Sequence, residues 1–334
     1  MFRRLFLLVV VLGVLGAVAG WWTWRQFDAP YRGFTDPEVF VDLPPGSSTA
    51  DIAGRLSAMG VVHDPLLFRL AVRYARADRH LQAGEYRFLD AASPNQIITR
   101  LRRGDTFNHT VTFPEGLTIR EMGAIFERDG LGTEQEFVRA AADHALIADL
   151  DPEARSLEGF LFPSTYSLPR NAGAAGFMRA MVKEFRKELG AEPLPDGIAS
   201  VRDLVTLASI VEKETGNSAE RPIVAAVYLN RLKIHMALQC DPTVVYALMT
   251  RGRWDGNIRK GDLRIDSPYN TYRYPGLPPG PIASPGRASL EAVRHPADVT
   301  YLYFVSRNDG THVFARTLEE HNRNVRAYQK KAGS

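Results

Sequence analysis

Two glutamates near the end of a predicted helix are the side chains of this sequence best suited to acid catalysis. They are Glu212 and Glu214, in the stretch ASIVEKET. The apolar spacing over residues 201–215 predicts a helix with one buried face, and each glutamate lies at one edge of that face. A carboxyl group beside apolar surface loses hydration and its pKa rises, as a general acid requires. Periodicity does not choose between the two, and the alternative is that both are solvated surface charges.

Three extended segments rich in polar and aromatic residues follow this helix. They are QCDPTVVY at 239–246, SPYNTY at 267–272 and GLPPGPIASPG at 276–286. Such loops are typical of saccharide clefts, where aromatic faces stack on sugar C–H surfaces and amides bond to hydroxyl and N-acetyl groups. Each segment alone is a weak signal, because Asp-Pro and Pro-Pro-Gly are also ordinary turn sequences. The earlier stretch EGFLFPSTY at 158–166 is either a hydrophobic plug between domains or a wall of a sugar site.

Other kinds of catalytic site find little support in the sequence. There is no G-x-x-x-x-G-K-[ST] or G-x-G-x-x-G motif, so no nucleotide cofactor is expected. The 8 histidines are scattered without the spacing of metal ligands, so no metal is expected either. Cys240 is the only cysteine, which excludes an internal disulfide, and it has no motif partner for thiol catalysis. A net charge of +3 is too small to predict nucleic-acid binding.

The N-terminal stretch predicts a membrane anchor. Residues 5–24 carry no charge, which is about the length that crosses roughly 30 Å of hydrocarbon as a helix. Two arginines precede this stretch and three tryptophans close it, so the N-terminus is expected in the cytoplasm. The alternative is a cleaved signal peptide, since Ala17 to Ala19 read A-x-A. With a retained anchor or with a cleaved signal peptide, the bulk of the chain is expected beyond the membrane.

Two later segments resemble each other at a constant offset. Residues 43–46 followed by SSTADIAGRLSAMGVV align with residues 113–116 followed by LTIREMGAIFERDGL. Each predicts a strand, a tight turn and a helix, although convergence on a common packing unit is an alternative to a repeat. Ser48 or Thr49 is expected to cap the start of the first helix, and Thr118 the start of the second. Gly60 and Gly130 are expected directly after the ends of these two helices. After the first copy the sequence predicts a helix over 65–76, a strand over 83–88 and a helix over 94–103.

Taken in order, these motifs resemble the YceG/MltG-like family of endolytic murein transglycosylases. The resemblance covers nearly the whole chain and includes the N-terminal anchor, EGFLFPSTY, ASIVEKET, NRL, LQCDPTVVYAL, SPYNTY, GLPPGPIASPG, His295-Pro296, YLYFV and HNRNV. It implies a single-pass inner-membrane protein with a LysM-like glycan-binding module before a periplasmic catalytic domain. It also implies cleavage of peptidoglycan strands between N-acetylmuramic acid (MurNAc) and N-acetylglucosamine (GlcNAc), leaving 1,6-anhydroMurNAc ends and terminating nascent strands. The implied partners are glycan strands and the cell-wall synthesis machinery.

The family's catalytic glutamate falls on Glu214. One departure is Cys240, where a close relative has a threonine, and the resemblance gives this cysteine no role. The candidate substrate-binding residues are the polar and aromatic side chains of the motifs, namely Gln239, Asp241, Thr243, Tyr246, Tyr269, Asn270, Tyr272, Glu158 and Tyr166.

The expected architecture is an α+β protein in five parts. They are a cytoplasmic tip and transmembrane anchor at 1–25, a tether at 26–34, a LysM-like βααβ module at 35–105, a connecting region at 106–198 and a mixed α/β catalytic domain at 199–334, with the catalytic glutamate near a helix end.

The implied reaction needs only one carboxyl group. The C6 hydroxyl of the sugar attacks its own anomeric carbon, so one carboxyl can protonate the leaving oxygen and then take the hydroxyl proton. A retaining hydrolase would need a second carboxylate roughly 5 Å from the first. Asp241 is the nearby candidate, although in Asp-Pro-Thr it is expected to cap the following helix. Two alternatives therefore stay open: a hydrolytic muramidase that uses Glu214 with Asp241, and a non-catalytic cell-wall-binding scaffold.

Overall fold

The computed structural model describes the backbone of residues 2–329 and the side chains of residues 10–18 and 20–329. The chain divides into two compact units. Unit 1 comprises Met1–His109 and Ser167–Ala172, and unit 2 comprises Thr110–Tyr166 and Gly173–Ser334. Most of the stretch predicted as a connecting region therefore belongs to the same compact unit as residues 199–334.

Unit 1 contains the predicted strand–helix–helix–strand order. Its elements are α1 (Phe2–Phe27), β1 (Val39–Leu43), α2 (Thr49–Ala58), α3 (Pro65–Tyr74), β2 (Gly84–Phe88) and α4 (Pro94–Arg103). Strands β1 and β2 pair antiparallel, with Val41 opposite Tyr86. Both side chains are buried in a core that also contains Leu56, Phe68 and Leu101.

The helix caps predicted from the repeated segments are confirmed. Ser48 caps α2 and Thr118 caps the corresponding helix of unit 2, each in a reciprocal capping box with the residue three positions later. Gly60 and Gly130 follow the ends of these two helices with φ of +68° and +70°, a conformation that costs glycine little.

The anchor predicted at residues 5–24 lies within α1. Among the side chains that the structure describes, no helix is both long and apolar enough to cross a membrane. The side chains of residues 2–9 and 19 lie outside the described part of the chain. The transmembrane anchor therefore stays a prediction.

Unit 2 is mainly helical, with two small sheets that involve its strands. Its elements, together with two strands shared with unit 1, are β3 (Asn108–Thr112), α5 (Ile119–Arg128), α6 (Glu134–Ala141), β4 (Thr165–Pro169), α7 (Gly173–Leu189), α8 (Val201–Glu214), α9 (Arg221–Lys233), α10 (Asp241–Met249), α11 (Arg287–Arg294), β5 (Tyr303–Ser306), β6 (His312–Ala315) and α12 (Leu318–Tyr328). β3 pairs with β4, and β5 with β6.

Helix α8 is buried more completely than its sequence predicts. Ser200 caps its start by accepting a hydrogen bond from the Asp203 N–H. All eight residues from 204 to 211 are buried, not one face only, because α9, α10 and α11 pack around the helix. The last turn places Glu212 and Glu214 at the edge of this packed interior, where each residue is partly buried.

The aromatic stretch at 158–166 packs inside unit 2. The Phe160 ring contacts the Phe185 ring edge-on at 5.1 Å, and both side chains are fully buried. Tyr166 is also buried, and its hydroxyl donates to the Phe162 carbonyl at 2.7 Å. Its hydroxyl is thus bonded to the backbone, and Tyr166 is a core residue in this structure, not a surface that a substrate could contact.

Candidate active site

Glu214 is the last residue of α8, and two neighbouring side chains hold its carboxyl group. Tyr228, on α9, donates its hydroxyl proton to Glu214 Oε1 at 2.8 Å. Cys240, directly before α10, donates its thiol proton to the same oxygen at 2.9 Å. Both donors are almost completely buried, whereas Glu214 keeps part of its surface exposed. The carboxyl group is therefore fixed on its inner side and accessible on its outer side.

The environment of Glu214 favours its protonated form. Burial raises the pKa of the carboxyl, and hydrogen bonds from Cys240 and Tyr228 oppose that rise. The nearby negative charge of Asp241 raises the pKa further, and His312 lowers it. Burial is the largest effect, so the carboxyl binds its proton more tightly than an ordinary glutamate does. This is the property that a general acid needs.

The two donors also determine which carboxyl oxygen carries the proton. Both bonds converge on Oε1, and no hydrogen bond links Oε2 to any residue that the structure describes. Burial raises the pKa of the Cys240 thiol and of the Tyr228 hydroxyl, so both stay protonated and act as donors. Because Oε1 accepts two hydrogen bonds, the proton of the neutral acid belongs on Oε2. That oxygen is the one left free to meet a leaving group.

Asp241 does not cap the helix that follows it, so that prediction is wrong. Helix α10 begins at Asp241 itself, and the residue at its N-cap is Cys240, without a side-chain cap. The exposed Asp241 carboxylate instead accepts a hydrogen bond from the Tyr272 hydroxyl at 2.6 Å. The structure thus brings Asp241 and Tyr272 together. The negative charge of Asp241 is near enough to Glu214 to raise the pKa of its carboxyl.

Two threonines hold Cys240 in place. The Thr271 hydroxyl accepts from the Cys240 N–H at 3.0 Å, and the Thr243 hydroxyl donates to the Cys240 carbonyl at 2.7 Å. The preceding residue, Gln239, is exposed, and its N–H donates to the Thr271 carbonyl at 3.1 Å. Thr243 is fully buried, so it positions the loop and offers no surface to a ligand.

Asn270 also lies in the interior, where its amide organises the loop. Its side-chain NH2 donates to the carbonyls of Leu263 and Ile265, each at 2.9 Å. Its side-chain carbonyl accepts from the Tyr272 N–H at 3.0 Å. The side chain is fully buried, so direct substrate binding by Asn270 is not what this geometry provides. It fixes the backbone that presents Tyr272 to Asp241.

Glu158, Tyr246 and Tyr269 form a separate group. Glu158 Oε1 accepts from the Ile119 N–H at 3.0 Å, and Oε2 accepts from the Tyr246 hydroxyl at 3.3 Å. The rings of Tyr246 and Tyr269 lie 4.9 Å apart. Burial raises the pKa of Glu158 to about 8. All three side chains line a cavity of about 620 Å³ within unit 2.

Glu212 is neither the acid nor a solvated surface charge, so the alternative that both glutamates are solvated is wrong. Its side chain is only 6% exposed and pairs with Arg221 at 2.9 Å. Its second oxygen accepts from the Gly286 N–H at 3.0 Å and from the Ser289 hydroxyl at 2.7 Å. Every oxygen is used in these bonds, and they join α8 to α9 and α11. Glu212 is a structural carboxylate.

The sequence motifs did not reveal Tyr228, Cys240 or His312 as site residues. His312, on β6, is held by Glu220, which accepts from its N–H at 2.9 Å and lies 2.7 Å from its ring Nδ1. The Phe304 ring contacts both Tyr228 and His312 edge-on, at 5.9 and 5.4 Å. The only sequence signal for Cys240 was its position beside Asp241. The only one for His312 was its position in a short segment with the alternating pattern of a strand.

Comparisons with known proteins agree on one family. Residues 41–327 match the YceG-like family. A protein of Bacillus subtilis (strain 168) named endolytic murein transglycosylase is 34% identical over 308 residues, which cover 87% of this chain and 84% of that protein. A protein of Streptococcus pneumoniae (serotype 2, strain D39) with the same name is 30% identical, and the match covers 86% of this chain and 58% of that protein. A solved YceG-like protein of Listeria monocytogenes is 31% identical with a TM-score of 0.56, and the match covers 87% of this chain and all of that one.

Proposed function

The chain belongs to the YceG-like family, and from the geometry around Glu214 we propose that it is an endolytic murein transglycosylase, a lyase that cleaves the glycan strands of peptidoglycan. The observation that carries this proposal is the Glu214 carboxyl, held through Oε1 by two buried donors and free at Oε2. Because the pKa of this carboxyl is raised, it retains the proton that it donates when the glycosidic bond breaks.

We propose that Glu214 acts first as acid and then as base. The Oε2 proton passes to the oxygen that joins MurNAc C1 to GlcNAc, and the C1–O bond breaks with its electron pair staying on that oxygen. The MurNAc C6 hydroxyl then bonds to C1 and returns its proton to Oε2. The carboxylate that exists between these steps is stabilised by the hydrogen bonds of Tyr228 and Cys240, which strengthen when the acceptor is charged. The product is a 1,6-anhydroMurNAc end, and no water is consumed.

A hydrolytic muramidase is the second candidate, because the negative charge of Asp241 is near enough to Glu214 to raise the pKa of its carboxyl. The Asp241 carboxylate is exposed and accepts the Tyr272 hydroxyl, so it is available near the acid. A hydrolase would give reducing ends, whereas the transglycosylase gives anhydro ends, so the products separate the two. A non-catalytic scaffold would have no need for a protonated carboxyl held by two donors.

We also propose the wider setting that the resemblance implies. Residues 35–105 would be a LysM-like glycan-binding module, an interpretation supported by the order β1, α2, α3, β2. Residues 5–24 would anchor the protein in the inner membrane with its N-terminus in the cytoplasm, supported by their uncharged composition. The catalytic unit would then act in the periplasm on nascent strands, beside the synthesis machinery, and terminate their elongation.

Replacement of the acid tests this proposal. Glu214→Gln keeps the shape of the side chain and removes the proton, so turnover on purified sacculi should fall by about 10²–10⁴-fold. Sedimentation with sacculi should be unchanged, because binding does not need the proton. Glu319→Gln is the matched control, since that side chain is 84% exposed and lies on α12. Full activity of Glu214→Gln would exclude Glu214 as the acid.

A further inference from the structure

Helix α3 of unit 1 carries a second apolar face that its own core does not use. One face packs inward through Phe68, Ala71 and Val72, all fully buried. On the opposite face, Leu66, Leu70 and Tyr74 are 62%, 53% and 70% exposed. At about 100° per residue these three positions form one line along the helix. Three large exposed apolar side chains in line indicate a surface that contacts something other than water.

Arginines accompany this line on the exposed side. Arg69 and Arg73 lie beside it on α3, and Arg76 and Arg79 follow the end of the helix, on either side of Asp78. All four are exposed, and none forms an ion pair with any residue that the structure describes. Helix α3 itself contains no acidic residue. We use the name α3 stripe for Leu66, Leu70 and Tyr74 with Arg69 and Arg73.

The end of α1 brings further aromatic side chains to the same region of unit 1. Trp21, Trp22 and Trp24 are each more than half exposed. Phe27, three residues beyond Trp24, is buried in the core of unit 1, and its ring contacts Tyr74 at 5.9 Å. The tryptophans therefore lie about one to two turns from the point where α1 meets the end of the α3 stripe.

From this combination we propose that the α3 stripe docks unit 1 on the surface of an anionic lipid bilayer. Leucines and a tyrosine beside arginines are the composition of helices that lie in the interfacial layer, where apolar side chains enter the acyl boundary and arginines meet phosphate groups. Tryptophans favour the same layer. The unpaired positive charge selects lipid over a second copy of this chain, whose stripe would carry the same charge. This contact goes beyond the proposed catalytic function and requires no spanning helix.

The proposal is tested by the depth of a spin label on the full-length protein in vesicles. Leu70→Cys places the label on the α3 stripe. Asp42→Cys is the control, because the neighbouring Val41 and Leu43 point into the core and Asp42 points away from it. The native Cys240 is fully buried and gives an unlabelled reference. In vesicles that contain phosphatidylglycerol, the label at 70 should be relaxed by oxygen and shielded from a water-soluble nickel chelate, while the label at 42 should be open to the chelate.

Charge dependence completes the test. In phosphatidylcholine vesicles, or with Arg69→Gln and Arg73→Gln together in anionic vesicles, the label at 70 should become open to the chelate by about tenfold or more. Equal chelate access at 70 and 42 in anionic vesicles would overturn the proposal. So would shielding at 70 from both relaxants, which indicates a protein partner, or dipolar broadening between labels, which indicates a second copy. Equal insertion in neutral vesicles would overturn the choice of an anionic surface.

Discussion

Removing the hydroxyl group of Tyr228 should change the pH dependence of catalysis in a direction that the structure determines. Tyr228→Phe keeps the buried ring and its contact with Phe304 but deletes one of the two donors to Glu214 Oε1. A hydrogen bond to a charged acceptor contributes about 1.5–3 kcal/mol, and each 1.4 kcal/mol corresponds to about a tenfold change in rate. The bond favours the carboxylate and lowers the pKa of Glu214, so its loss should raise that pKa further.

Two kinetic effects should follow from that rise. The acid must be protonated for the first step, so the alkaline limb of kcat/KM should move to higher pH. On the plateau, turnover should fall by about tenfold or more, because the carboxylate formed in the transition state has lost a donor. Cys240→Ala should move the limb in the same direction, because it deletes the other donor to Oε1.

Initial rates on purified sacculi, measured across the pH range, test this expectation. Tyr166→Phe is the matched control, because it deletes a buried tyrosine hydroxyl whose acceptor is the Phe162 carbonyl and not the acid. That variant should lose stability without moving the limb. An alkaline limb that stays in place or moves to lower pH in Tyr228→Phe would refute the assignment of Tyr228 as a donor that stabilises the Glu214 carboxylate.

Three further substitutions test the roles assigned to Glu212, Glu158 and His312. Glu212→Gln should lower the free energy of unfolding by about 2 kcal/mol or more, because it leaves Arg221 without its buried partner, and an unchanged pH limb with a lowered melting temperature is the expected result. Burial raises the pKa of Glu158 from 4.5 to about 8, so the folded state keeps a proton that the unfolded chain has released, and the parent loses stability as pH rises through that window. Glu158→Gln should therefore gain stability relative to the parent between those pH values, and chemical denaturation that shows a constant difference would contradict this. His312 lowers the pKa of Glu214 against the larger effect of burial, so His312→Gln should move the alkaline limb upward, and a downward shift would exclude that influence.

Local features of the fold could be predicted from the sequence, since their causes are local. The capping boxes at Ser48 and Thr118 depend on residues three positions apart, and both helices begin where expected. The helices predicted over 65–76 and 94–103 are found at Pro65–Tyr74 and Pro94–Arg103. These elements are specified by neighbours along the chain.

The roles of the two glutamates could not be worked out from the residues alone, because their partners are distant in sequence. Periodicity placed both at the edges of α8, but the partners of Glu212 include Gly286 and Ser289, more than 70 positions away. Cys240 had no recognisable motif role, yet tertiary packing brings its thiol to Glu214. The resemblance to the family identified Glu214 as the acid. The physical reason, the hydrogen bonds that Tyr228 and Cys240 donate to its carboxyl, appears only in the folded structure.

The source of the oxygen in the product is the most direct test of the proposed mechanism. The parent enzyme would digest purified sacculi in water labelled with heavy oxygen, and the released glycan ends would be analysed by mass spectrometry. If the Glu214 carboxyl serves both steps and the C6 hydroxyl is the nucleophile, the new ends will be 1,6-anhydroMurNAc without the label. Reducing ends that carry the heavy isotope would contradict this account, since water would then be the nucleophile and Asp241 would become the candidate second carboxylate.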